Sequence, residues 1–81
     1  MANLRKHTRI QTWPCVRGRA VGAPAGVSGT WGCGAPGCAV EEAAVVAFVP
    51  LDASRPSWLS AGYVGLCSEH AAEVRRWERS A

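Results

Sequence analysis

Large apolar side chains fall in a few short stretches of the chain, and their spacing differs from one stretch to the next. Ala43-Ala44-Val45-Val46-Ala47-Phe48-Val49 is an unbroken apolar run rich in residues that suit a pleated strand. It predicts a strand that stops where Pro50 removes a backbone donor. Gly62-Tyr63-Val64-Gly65-Leu66 predicts a second strand, antiparallel to the first, with residues 50–62 as a loop rich in proline, serine and alanine. Beyond it the spacing becomes helical. His70, Ala71, Val74 and Trp77 fall on one face of a helix expected from Glu69 to Arg79, with Ser68 as its N-cap. Trp77 is expected in the core behind the helix. Arg75, Arg76, Glu78 and Arg79 fall mostly on the wet side, and the arginines lie in the half where the helix dipole favours positive charge. Near the start, Ile10, Thr12, Trp13 and Val16 favour an extended segment over residues 10–16, although their alternation is poor. Residues 18–32, dominated by glycine, proline and small side chains, read as a linker or an irregular loop.

Composition sharpens this picture. The chain has 81 residues, enough for one small domain. Leucine, isoleucine, valine and phenylalanine make up only about a fifth of it, so the 48% hydrophobic content overstates the core. So short a chain needs a staple: disulfides, a metal or a partner. No apolar run is long enough to span a bilayer. The net charge of +3 is unevenly spread. Arg5, Lys6, Arg9, Arg17 and Arg19 lie in the first 19 residues, which contain no acid, and all six acidic residues lie at or after Glu41. The expected organisation is a basic arm with a Gly/Pro-rich linker over 1–30, then a folded domain over 31–81. The basic start has no apolar stretch behind it, so a cytoplasmic location is expected. The alanine, glycine and arginine content, with a single lysine, suggests a high-GC bacterial or phage genome.

Four cysteines, Cys15, Cys33, Cys38 and Cys67, and two histidines, His7 and His70, carry the candidate chemistry. In a reducing compartment, paired thiols hold metal more often than they form disulfides. Cys33-Gly34-Ala35-Pro36-Gly37-Cys38 is a tight Gly/Pro turn that converges two thiols on one point. Cys67 and His70 lie three apart across a helix start, so both point to one side. The hairpin between these pairs brings them together. Cys33, Cys38, Cys67 and His70 would then form a closed tetrahedral set of the kind used by structural zinc. Cys15 in place of His70, a disulfide framework and an iron–sulfur cluster are the alternatives.

This order of knuckle, β-hairpin and helix with two ligands at its start resembles a treble-clef zinc finger. The resemblance covers roughly residues 31–80. It departs from the usual pattern in having four residues between Cys33 and Cys38 rather than two. It implies a small α+β domain stapled by one structural Zn2+.

Two binding functions follow from the remaining residues. One is nucleic-acid binding, with phosphates contacted by Arg5, Lys6, Arg9, Arg17 and Arg19 and by the helix residues Arg75, Arg76 and Arg79, and with Trp13 and Trp31 stacking on bases. The other is a protein-interaction module anchored on Trp58, beside Arg55 in the loop. No membrane partner and no small-molecule substrate are expected. Catalysis is not expected either. The hairpin has no histidine to activate water, there is no Cys-x-x-Cys pair, and a fully ligated zinc leaves no position for substrate.

Overall fold

A computed structural model of the chain describes residues 9–80. Four strands form one antiparallel sheet: β1 (Gln11–Val16), β2 (Arg19–Ala20), β3 (Val45–Val49) and β4 (Gly62–Leu66), in the order β2-β1-β3-β4. A C-terminal helix, α1 (Ser68–Ser80), follows β4 directly. The fold is α+β, as the pattern predicts. The β3–β4 hairpin pairs Val45 with Leu66 and Val49 with Gly62.

The extended segment near the start is a full member of the sheet. β1 pairs with β3 from Gln11↔Phe48 to Pro14↔Val45. A two-residue turn, Arg17-Gly18, then folds the chain back so that Val16 pairs with Arg19 and Cys15 with Ala20. Both turn residues have positive φ, 54° and 81°, the conformation that matches hairpin twist. The Val21 N–H donates to the Pro14 carbonyl at 2.8 Å. Pro14 has no N–H to return that bond, so β2 ends at Ala20. The rest of residues 18–32 is irregular but anchored: Val27 is buried, and the Trp31 N–H donates to the Gly18 carbonyl at 2.8 Å.

Alternation along β3 divides the sheet into two faces. Ala47 and Val49 join Leu66, Ala71 and Val74 in the core between sheet and helix, with Val45 and Val64 packed against it. The Pro50–Ala61 loop closes over this core. It buries Ala53 and Leu59 and lays Trp58 against the cluster, while the Arg55 guanidinium donates to the carbonyls of Pro50 and Leu51. Val46 and Phe48 point the other way. Val46 is fully buried there, paired with Gly65 of β4.

Two expectations about the helix are corrected. The Cys67 carbonyl accepts the first helical bond, from the Ala71 N–H at 2.8 Å, so Cys67 is the N-cap and Ser68 is already helical. Trp77 is not in the core: it is 44% exposed, and its indole N–H donates to the Ser54 hydroxyl. Helical spacing drifts relative to a flat sheet. The face set by Ala71 and Val74 has therefore rotated away from the core by Trp77.

Candidate metal centre

Cys33, Cys38, Cys67 and His70 meet at one point, with their ligand atoms all within 4.8 Å of one another. His70 Nδ1 lies 3.2 Å from Cys67 Sγ and 3.5 Å from Cys33 Sγ. Around a tetrahedral zinc, with its usual bond lengths, a sulfur–nitrogen edge is about 3.6 Å. The spacing therefore suits a shared ion, and the four side chains are clustered as a metal site requires. Cys67 is buried and the other three are half-buried.

Each ligand is placed by a local rule. Ala35-Pro36-Gly37-Cys38 closes on a bond from the Cys38 N–H to the Ala35 carbonyl at 3.1 Å, with Gly37 at φ 77°. Proline second and a positive-φ glycine third is the signature of a type II turn. This turn takes up the two residues by which the knuckle exceeds the common spacing. The Cys33 N–H donates to the Val40 carbonyl at 2.9 Å and shuts the loop. Cys67 and His70 occupy N-cap and N3 of α1. In a capping box each of these side chains accepts from the other's backbone N–H; here the thiol and the imidazole instead lie against each other. A thiolate there also sits at the positive end of the helix dipole.

The electrostatics of the two knuckle thiols differ. Burial pushes Cys33 up, but the N–H groups of Ala35 and Cys67 and the thiols of Cys38 and Cys67 outweigh it, leaving Cys33 below the usual thiol value. At Cys38 the Val40 N–H pulls the value down. The Cys33 thiol, burial, the Cys67 thiol and the charge on Cys33 together reverse this, so Cys38 lies above the usual value. Sulfurs this close favour one thiolate at a time. A cation between them removes that conflict.

Two glycines that the sequence does not single out hold the halves of the site together. The Gly34 N–H donates to the Gly65 carbonyl at 2.8 Å, which joins the knuckle to β4 one residue before Leu66-Cys67. A Cβ on Gly65 would lie 2.4 Å from the Gly32 carbonyl oxygen, and one on Gly34 would lie 2.8 Å from Val64. At Gly65, where the opposing atom is backbone, only glycine permits this approach. A glycine inside a strand, as Gly65 is between Val64 and Leu66, signals such an approach but does not name the partner. Trp31 flanks the contact, and its indole N–H is buried without an acceptor among the described residues.

The remaining candidates are dispersed. Cys15 lies on β1 paired with Ala20, outside the cluster, and burial raises its thiol. It does not replace His70. Trp58 is half-buried. Its ring stands edge-on to His70 at 5.4 Å between centroids, and its N–H donates to Glu73 Oε2 at 3.2 Å. It is thus Trp58, not Trp77, that packs behind the site. Arg5 and Lys6 lie outside the described residues. Arg17 stands at the β1–β2 turn and Arg19 on β2, both exposed, as is Arg76 on the helix. Arg9, Arg75 and Arg79 come together along one groove of about 720 Å³ between the start of β1 and α1. Asp52 and Glu78 also line it, with Glu78 accepting the Ile10 N–H at 3.0 Å. Among the described residues, no helix is long and apolar enough to cross a membrane. No protein-family model, curated protein or solved structure matches the chain.

Proposed function

We propose that this protein is a structural-zinc module that binds nucleic acid. The observation behind the zinc reading is the closed Cys3His set. Three thiolates and an imidazole are soft and borderline donors, and the set has the composition of a structural site. All four positions would be filled by protein, so the ion's role is to tie the knuckle to the helix, not to act on a substrate.

The nucleic-acid reading is supported by Arg9, Arg75 and Arg79, which are far apart in sequence yet line the same groove. With Arg17 and Arg19 on the β1–β2 hairpin, and with the basic residues Arg5 and Lys6 preceding them in sequence, they offer guanidinium groups suited to phosphate. A protein-interaction role centred on Trp58 has less support, because its ring and its N–H are both engaged internally.

Two measurements test the proposal. Protein prepared without added metal should contain one zinc per chain. Cys15→Ser should keep it and His70→Ala should weaken its retention; iron, or no metal, would overturn the zinc reading. Fluorescence anisotropy with labelled oligonucleotides should then show affinity that falls steeply with added salt, and a shallower slope for the Arg75→Ala/Arg79→Ala double variant. No binding at low salt would overturn the nucleic-acid reading.

A further inference from the structure

The face of the sheet turned away from α1 carries a ring cluster built across three strands. Phe48 and Tyr63 are directly paired on β3 and β4, with centroids 4.9 Å apart. Tyr63 also leans over β3 toward Trp13 of β1, at 6.2 Å. Tyr63 is 44% exposed, while Trp13 and Phe48 are half-exposed, so the rings present surface to solvent as well as to one another. The helix-side core does not use them.

Basic residues border the rings within the sheet, while the nearest carboxylates lie outside the strands: Glu42 against the Gly18 turn, and Asp52 and Glu78 in the groove beside Arg9. No acidic residue lies in any of the four strands. Arg19 is the only charged residue within them, and Arg9 and Arg17 sit just beyond the two ends of β1. Arg9 also joins two surfaces: it lines the arginine groove against α1 and the shallow depression formed with Ile10, Gln11, Thr12 and Trp13. One path therefore runs from Arg75 and Arg79, past Arg9, to Trp13 and Tyr63.

We infer that this face binds single-stranded nucleic acid, with unpaired bases stacking on Trp13 and Tyr63 and the backbone running past Arg9 and the helix arginines. The inference rests on the nucleic-acid reading above and adds to it the form of the ligand and the surface that meets it. Partly exposed rings on a sheet suit bases whose own faces are free. A duplex keeps its bases stacked on each other and offers only phosphates here. Aromatic strands that hold no acidic residue, with Arg9, Arg17 and Arg19 at their ends, also complement a polyanion better than a neutral peptide.

The test uses the full zinc-loaded chain and a labelled oligothymidylate of about 12 nucleotides, set against the matching duplex. The single strand is expected to bind about tenfold or more tightly than the duplex. Tyr63→Ala should weaken single-strand binding by about fivefold or more, the loss of one stack, and Tyr63→Phe should restore it. Trp13→Ala should act in the same direction. Leu51→Ala, at a 78% exposed apolar residue in the loop, should leave affinity unchanged. Zinc content and far-UV circular dichroism identify any variant that has lost its fold, and Tyr63 is exposed enough for its truncation to be tolerated. Equal affinity for strand and duplex, unaffected by Tyr63→Ala, would overturn the inference and leave a phosphate-only binder. Failure to bind either ligand would remove the nucleic-acid reading as well.

Discussion

At the scale of single residues, the site depends as much on missing side chains as on the four ligands. Cys33 and Cys67 are 34 positions apart in sequence, and their sulfurs meet only because the knuckle lies directly on β4. Gly65 is the point of closest approach, with backbone on the other side that cannot rotate away. Gly65→Ala should therefore destabilise the protein by about 2–3 kcal/mol through overpacking. It should also weaken zinc retention in a chelator competition, although it removes no ligand. Unchanged melting and unchanged retention would show that the knuckle can move without cost. Trp58 makes a related point. A tryptophan in a Ser/Pro loop reads as a surface anchor, and the bonding that turns it inward, to Glu73 and His70, comes from a helix whose sequence gives no sign of it.

At the scale of elements, the period and punctuation of the chain were good guides wherever an element carried its own pattern. The apolar run before Pro50, the Gly62–Leu66 segment and the helix all form where their residues favour them. The β1–β2 hairpin was illegible because its turn is Arg-Gly, not Asn-Gly, and because Pro14 weakens the strand pattern. A non-glycine residue at φ 54° is held there by the pairing on either side. Arg17→Asn should relieve about 0.5–1 kcal/mol of that strain, since asparagine tolerates the left-handed region. A melting temperature a few degrees higher for the zinc-loaded variant would bear this out; a lower one would show that the arginine side chain itself supports the turn. Helix α1 shows the reverse case. Its pattern is clear, yet the face set by Ala71 and Val74 turns away from the core by Trp77, and the loop supplies Leu59 and Trp58 to that core instead.

At the scale of the whole molecule, the core is small. Its largest fully buried side chains are Leu66, Val46 and Val49. A metal joining the knuckle to β4 and α1 would tie the two ends of the sheet's longest excursions together. Binding free energy of about 10 kcal/mol or more would then exceed what such a core supplies alone. Chelation should unfold the chain as a unit. Because β1 hydrogen-bonds to β3, the unfolding should include Trp13 and not stop at residue 31. Near-UV circular dichroism and thiol counting together check this. Before chelation only Cys15 should react with an alkylating agent. Its burial should shift that reaction to higher pH than for a free thiol, because the reactive thiolate forms only above a raised value. After chelation all four cysteines should react. A chelated protein that keeps its near-UV signal would show that the core is sufficient without the ion.

The sequence by itself determined the α+β class, the two central strands, the helix, and the choice of Cys33, Cys38, Cys67 and His70. Each of these follows from local rules: period, a proline stop, a Gly/Pro turn, and two donors spaced three apart at a helix start. Tertiary structure alone decided what depends on contacts between distant segments. It placed β1 inside the sheet, left Cys15 outside the site, turned Trp58 inward and Trp77 outward, and made Gly65 the seat of the knuckle. It also grouped Arg9 with Arg75 and Arg79, and Trp13 with Phe48 and Tyr63. Such groupings arise from strand order and register, and no window of sequence contains both partners.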